Sequence, residues 1–140
     1  MKKLVIVSGY FNPLHIGHLD YFTKAKKHGD FLLVIVNNDL QREIKGSKKF
    51  MNEKERAKII SHLSLVDYVY LSIDIDKTVI RTIRKIHKDY GGKHSLYFAN
   101  GGDQSNECPE KKICEELGIL MIDNLGEKIQ SSSWLLENEN

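Results

Sequence analysis

The sequence predicts an α/β fold, a parallel five-stranded sheet with helices on both faces. Three observations carry this. Apolar runs of strand length alternate with longer stretches of helical period along the 140 residues, the pattern of successive βα units. Two of the runs, Leu4–Val7 and Phe31–Val36, are apolar at every position, as strands covered on both faces are. Polar or glycine-bearing segments follow the runs, at the strand ends where open α/β sheets bind ligands.

Leu4-Val5-Ile6-Val7 is the first strand, ended by Ser8-Gly9. Asn12-Pro13 is turn chemistry, and Leu19 to Lys27 reads as the first helix, closed at His28-Gly29 by a glycine in the usual C-terminal place. Phe31–Val36 is the second strand. Asn37-Asn38-Asp39 after it read equally as turn formers and as ligand contacts at a strand end. From Glu43 to Phe50 the chain is basic, contains Gly46 and has no clear period, so a loop is expected. Asn52 is the N-cap of the next helix, with Glu55 in capping-box relation and Ala57, Ile59, Ile60 and Leu63 on its apolar face. Val66–Leu71 is the third strand. Asp74 and Asp76 read as turn and N-cap rather than as a metal pair. A helix carrying Val79, Ile80, Ile83 and Ile86 follows and ends at Tyr90-Gly91-Gly92. Leu96–Ala99 is the fourth strand and runs into Asn100-Gly101-Gly102-Asp103. A helix from Pro109 to Leu117, a strand at Ile119–Ile122 and a short last helix at Trp134–Leu136 complete the order.

No repeat, linker or low-complexity stretch interrupts residues 1–140, which therefore read as one domain large enough for a real core. With 41% hydrophobic and 29% charged residues the chain is an ordinary globular one. A net charge of +2 is too small to argue for nucleic acid or a membrane surface. No apolar run approaches the ~20 residues of a membrane span, and the Met1-Lys2-Lys3 start leads into a strand rather than a signal peptide. Cys108 and Cys114 fit neither a zinc nor a redox spacing and are expected to be reduced thiols in a cytoplasmic protein.

The richest stretch is Ser8-Gly9-Tyr10-Phe11-Asn12-Pro13-Leu14-His15-Ile16-Gly17-His18. It joins the first strand to the first helix and sets two imidazoles at a helix start. Orphan backbone N–H groups and the positive end of the helix dipole make such a place an anion site. Gly17 permits close backbone approach. A histidine pair there can also be mere capping. The whole string, however, resembles the first signature of the H-x-G-H nucleotidyltransferases, which include phospho-alcohol cytidylyltransferases and several adenylyltransferases. The His-Ile-Gly-His string also occurs in class I aminoacyl-tRNA synthetases, but no Lys-Met-Ser-Lys-Ser string is present and there is no room for a tRNA-binding domain.

Four polar stretches follow strands and share one sheet edge: Gly9–His18, Asn37–Lys49, Asn100–Asp103 and Lys128–Ser133. Neither a Walker string nor a G-x-G-x-x-G is present. Asn37-Asn38-Asp39 with Lys45-Gly46 and Glu55-Arg56 resembles the middle of the glycerol-3-phosphate cytidylyltransferases and heptose-phosphate adenylyltransferases. Asn100-Gly101-Gly102-Asp103 is similar to their base-recognition turn, and Ile129 to Ser133 to their second signature. The chain departs from them in lacking an Arg-Thr-Glu-Gly segment, where Lys128 supplies a cation.

The resemblance implies a Rossmann-like fold and a reaction. A substrate phosphate or phosphonate oxygen attacks the α-phosphorus of a nucleoside triphosphate and expels pyrophosphate. Such a nucleophile is already ionised, so catalysis rests on positioning and charge neutralisation. His15, His18 and Lys45 are the implied catalytic groups. Gly9, Tyr10, Phe11, Gly17, Asn100, Gly102, Asp103, Lys128, Ser131, Ser132 and Ser133 are the nucleotide contacts. Asp39, Lys48, Lys49 and Arg56 lie on the acceptor side. Mg²⁺ accompanies the triphosphate, with no protein metal site. The expected partners are a nucleoside triphosphate, a small phosphorylated substrate and a second copy of the chain in a homodimer. CTP is narrowly preferred over ATP. A non-catalytic nucleotide sensor is the other class, which turnover of any triphosphate with pyrophosphate release would exclude. The basic segment from Lys45 to Lys49 is expected to be mobile, with few apolar anchors, and to be ordered by the triphosphate.

Overall fold

The computed structural model describes residues 1–99 and 108–122. The expected contacts Asn100, Gly102, Asp103, Lys128, Ser131, Ser132 and Ser133 and the short last helix lie outside the described residues. The elements are β1 (Lys2–Gly9), α1 (Ile16–Lys26), β2 (Phe31–Val36), α2 (Asp39–Lys45), α3 (Glu53–Ser61), β3 (Tyr68–Leu71), α4 (Ile80–Tyr90), β4 (His94–Ala99), α5 (Lys111–Leu117) and β5 (Leu120–Ile122).

The strands form one parallel sheet in the order β3-β2-β1-β4-β5, as the alternation predicts. From β1 the chain builds outward through β2 and β3, then returns to the other side of β1 for β4 and β5. The order reverses beside β1, and the crevice beyond the carboxyl ends of β1 and β4 is where such sheets take ligands. Alternate residues feed two cores. Leu4, Ile6, Leu33, Ile35, Leu96 and Phe98 pack against Ile83 and Ile86 of α4 and Ile113 and Cys114 of α5. Val5, Val7, Leu32, Val34 and Val36 pack against Phe22 and Ala25 of α1 and Ile60 of α3. β2 is therefore apolar throughout because both of its faces are covered. No helix among the described residues is long and apolar enough to cross a membrane.

Three local expectations are corrected. The segment after β2 is not all loop, because Asp39–Lys45 is helical. Its pattern is inverted: Gln41 and Arg42 are buried while Leu40 and Ile44 are 49% and 44% exposed, so no apolar stripe marks it. α1 starts at Ile16, three residues before the expected Leu19, because His15 serves as its N-cap. Gly29 does not close α1 in a left-handed conformation; Lys27 is the C-cap. A Cβ at Gly29 would lie 2.8 Å from Val5 Cγ2 and 2.9 Å from the Lys3 carbonyl oxygen, so this glycine lets the turn pass close to β1.

Asn52 caps α3 by accepting the Glu55 N–H at 2.8 Å. The buried Asp74 carboxylate accepts the N–H groups of Arg81 at 2.7 Å and Thr82 at 3.0 Å, which makes it a cap for α4 from outside the helix. Both cysteines are thiols. Burial pushes Cys114 up to about 12 and Cys108 up to about 11, so neither is a thiolate near neutral pH.

Candidate active site

The loop between β1 and α1 is shaped by Phe11. This residue has φ +52°, a left-handed backbone that costs a bulky side chain energy, and its ring is buried at 2% exposure. The ring meets His18 edge-on with centroids 4.9 Å apart and Phe22 at 5.4 Å. A Cβ on Gly9 would sit 2.7 Å from the Phe11 ring. Gly9 and Phe11, expected to contact nucleotide, are thus a matched pair that sets the loop path.

His15 and His18 form a capping box in which imidazoles replace the usual hydroxyl and carboxylate. The Gly17 N–H donates to His15 Nδ1 at 3.1 Å, and the His15 N–H donates to His18 Nδ1 at 3.0 Å. The rings lie 3.8 Å apart, tilted by 31°. With both Nδ1 atoms accepting, each neutral ring carries its proton on Nε2. Burial lowers the pKa of His15. Burial, and then the neighbouring His15, lower that of His18 to about 4. The pair presents neutral N–H donors at the positive end of α1, suited to phosphoryl oxygens. The capping alternative raised by the sequence is real, and the same geometry that caps the helix also selects the tautomer.

Arg56 is placed differently from its expected position on the acceptor side. It is 1% exposed. Its Nη1 donates to the carbonyls of Tyr10 and Asn37, both at 2.7 Å, its Nε to Met51 O at 3.1 Å and its Nη2 to Asp39 Oδ1 at 2.9 Å. Asp39, also expected on the acceptor side, exchanges contacts with Glu53. The Asp39 N–H donates to Glu53 Oε1 at 2.8 Å, and the Glu53 N–H donates to Asp39 Oδ2 at 3.1 Å. Burial raises the Asp39 carboxyl, but the Glu53 N–H and Arg56 outweigh it and hold the group below its usual range. Asn37 and Asn38 face inward as well. Asn37 Nδ2 donates to Gln41 Oε1 at 3.0 Å, and Asn38 Nδ2 donates to Ser72 O and Asp74 O at 3.0 and 2.9 Å.

The lysine segment has anchors, and they are polar rather than apolar. Gly46 ends α2 in the left-handed region at φ +85°. Arg42 Nη1 donates to Ser47 O at 2.7 Å. Asn12 Nδ2 donates to Lys48 O at 2.8 Å, and Asn12 Oδ1 accepts the N–H groups of Phe50 at 3.1 Å and Met51 at 3.0 Å. Lys45, Lys48 and Lys49 stay exposed, with Lys45 Nζ 4.4 Å from the Tyr10 ring centroid. The structure thus gathers the histidine loop and the end of α2 at one edge, while Arg56 and Asp39 lie beneath it as framework. Tyr21 adds a link to β4 by donating its hydroxyl to Ala99 O at 2.8 Å. Sequence reasoning missed Asn12 and Arg42. The only signal was an asparagine before proline, which reads as a turn.

Two outcomes follow from this geometry. In Asn12→Ala the segment loses the three hydrogen bonds that Asn12 makes, at about 1 kcal/mol each, so tryptic cleavage after Lys48 and Lys49 accelerates at least ~10-fold through local opening; an unchanged cleavage rate contradicts the anchoring. His18 titrates near 4 when folded and near 6.5 when unfolded, so the unfolded chain takes up its proton first as pH falls. The stability it contributes is fully present above pH 6.5 and drains away down to about 4. Melting temperature therefore drops less between pH 6.5 and 4.5 in His18→Gln, which keeps an acceptor for the His15 N–H, than in the wild type. Equal drops would assign the acid sensitivity to other groups.

Comparison with known proteins places the chain in a family. The family model described as cytidylyltransferase-like matches residues 6–128. A FAD synthase of Picrophilus torridus is 30% identical over 92% of this chain and 90% of its own length. The bifunctional protein HldE of Geobacter metallireducens is 37% identical over 73% of this chain, but the match spans only 21% of that protein. The crystal structure of a lipopolysaccharide core biosynthesis protein from Thermoplasma volcanium superposes with a TM-score of 0.71 at 29% identity, covering 91% of this chain and 98% of that one. The match to residues 6–128 takes in the histidine loop, the buried arginine and the lysine segment, and the chain belongs to the cytidylyltransferase-like family, the nucleotidyltransferases that its histidine loop resembles.

Proposed function

We propose that the protein transfers an adenylyl group from ATP to a phosphate oxygen of a small phosphorylated acceptor and releases pyrophosphate. The observation that carries this reading is the pair of neutral imidazoles held by their Nδ1 atoms at the start of α1. They donate to phosphoryl oxygens without a proton-transfer step, which suits a nucleophile that is already an anion. The sequence reading preferred CTP on the grounds of chain size. The FAD synthase that matches nearly end to end is named for a product bearing an adenylyl group, and this moves the preference to ATP.

In this reading His15 and His18 meet the charge that builds on the α-phosphoryl oxygens and the leaving pyrophosphate. Lys45 covers the triphosphate, while Lys48 and Lys49 face the acceptor phosphate. Lys128 and Ser131 to Ser133 take the outer phosphates, and Asn100, Gly102 and Asp103 take the base. Mg²⁺ travels with the triphosphate and neutralises part of its charge. Asp39 and Glu53 are engaged with each other's backbone and, for Asp39, with Arg56. Among the described residues no three His, Cys, Asp or Glu side chains are grouped to hold a metal. Arg56 acts through the loops it holds. A homodimer in the cytoplasm completes the proposal, on the family resemblance alone.

The test crosses ATP, CTP, GTP and UTP with flavin mononucleotide, sugar phosphates and phosphorylated polyols, read by pyrophosphate release. ATP consumption with one acceptor class is the expected result. Preference for CTP restores the cytidylyl reading, and no turnover of any triphosphate refutes both. With the productive pair, His18→Ala lowers kcat by about 10²-fold, the usual loss for one oxyanion-type donor. A folded variant with near-normal kcat removes His18 from the mechanism.

A further inference from the structure

Lys45 is the last residue of α2, followed by Gly46 in the left-handed region. The chain turns away there, so no later turn of helix braces its side chain. An exposed lysine in that position has a long flexible stem and a poorly fixed ammonium. Yet this ammonium sits 4.4 Å from the centroid of the Tyr10 ring, within the range of a cation–π contact. Tyr10 is itself held. Its carbonyl accepts from Arg56 Nη1 at 2.7 Å, and the left-handed turn at Phe11 sends the next ring into the core while Tyr10 stays half-buried at the surface.

We propose that Tyr10 is a positioning residue whose ring face holds the Lys45 ammonium beside the histidine loop before a triphosphate arrives. The proposal rests on the reading of Lys45 as a phosphate contact. An exposed cation–π contact is weak beside an ammonium–phosphate charge pair. The ring therefore orders the cation without competing with the substrate for it. The ring face does this, and the phenolic hydroxyl is not needed. Tyr10 comes from the β1–α1 loop and Lys45 from the end of α2, 35 residues apart in the sequence. The contact thus ties the cation to the same loop that carries His15 and His18.

Tyr10→Phe and Tyr10→Leu separate this from a packing role. Lysines are labelled as ¹³C-dimethylamines, which keep their charge, and the Lys45 signal is identified by its loss in Lys45→Arg. Ring current shifts that signal upfield in the wild type and in Tyr10→Phe, and it returns to the bulk lysine position in Tyr10→Leu. In turnover, Tyr10→Leu lowers kcat/KM for the triphosphate about threefold to fivefold, the worth of an exposed cation–π contact. Tyr10→Phe restores it, and in a Lys45→Ala background Tyr10→Leu has no further effect. An unshifted Lys45 signal in the wild type, or an equal loss in the Lys45→Ala background, overturns the proposal. If the wild type turns over no triphosphate, the proposed function fails by itself, and the ring-current shift with its loss in Tyr10→Leu still decides whether Tyr10 holds Lys45.

Discussion

One buried guanidinium holds the carboxyl edge of the sheet together. Arg56 reaches from α3 to the carbonyl that follows β1, the carbonyl that follows β2, the carbonyl at its own helix entry and the carboxylate at the start of α2. Removing such a charge from water costs several kcal/mol, and only near-complete pairing with a counter-charge among the partners makes the position tenable. The geometry supplies it, since four of the five guanidinium N–H groups meet acceptors between 2.7 and 3.1 Å. Two of those acceptors, the Tyr10 and Asn37 carbonyls, lie one residue past the ends of β1 and β2. The loops that carry Tyr10 and Asn37 therefore depend on one side chain from a third element. Their separation is set by the span of a rigid planar group, which a lysine could not reproduce.

Within that frame one geometry both caps α1 and fixes the tautomer of the histidines. A serine at the position of His15 would also satisfy an orphan N–H of α1. It would offer its ligand one oxygen already engaged in capping. An imidazole caps with Nδ1 and keeps a second nitrogen on the far side of the ring. Because capping requires Nδ1 to accept, it disfavours the protonated ring, in which both nitrogens donate. Burial against Phe11 acts in the same direction. Structural and chemical demands therefore agree on a neutral donor, and His18 stays uncharged well below its ordinary range. A cation here would repel Lys45 and would be quenched by the first anion it met; a neutral donor strengthens with the charge that develops on the oxygen.

The sheet was legible in the sequence because its signal is local. β2 is apolar at six consecutive positions, and no surface helix tolerates that. The gathering of the histidine loop and the end of α2 at one edge was legible for the same reason, since a parallel sheet sends its strand ends there. α2 was not legible. Its buried face is Gln41 and Arg42, paired with carbonyls at Asp76, Thr78 and Ser47, and a helix that packs through hydrogen bonds leaves no apolar period. The role of Arg56 was hidden by a sound default, that arginine belongs at the surface. Only the acceptors gathered from positions 10, 37 and 39 overturn it. Asn12 has partners 36 to 39 residues away, and one sequence carries no trace of such pairings. The base-recognition turn at Asn100 to Asp103 and the serine run stay readings of resemblance, since they lie outside the described residues.

The lysine segment shows why the kind of anchor matters. Like charges at positions 45, 48 and 49 repel, and the segment buries little apolar surface, so from composition it should be loose. The anchoring is carried instead by neutral groups, the Asn12 amide and the backbone, together with Arg42, whose charge is answered by Asp39 and Glu43. Hydrogen bonds of this kind fix the backbone without neutralising the ammonium groups. The segment therefore keeps its lysines exposed while its backbone is held at Ser47, Lys48, Phe50 and Met51. Cations held apart on a fixed backbone have already met the cost of their mutual repulsion at folding. In the proposed function an entering polyphosphate would relieve that repulsion, with the main chain already held at these contacts. This is a backbone fixed by polar contacts, and it explains how a surface stretch with no core of its own can keep a defined path; in the proposed function the same stretch is one wall of the phosphate site.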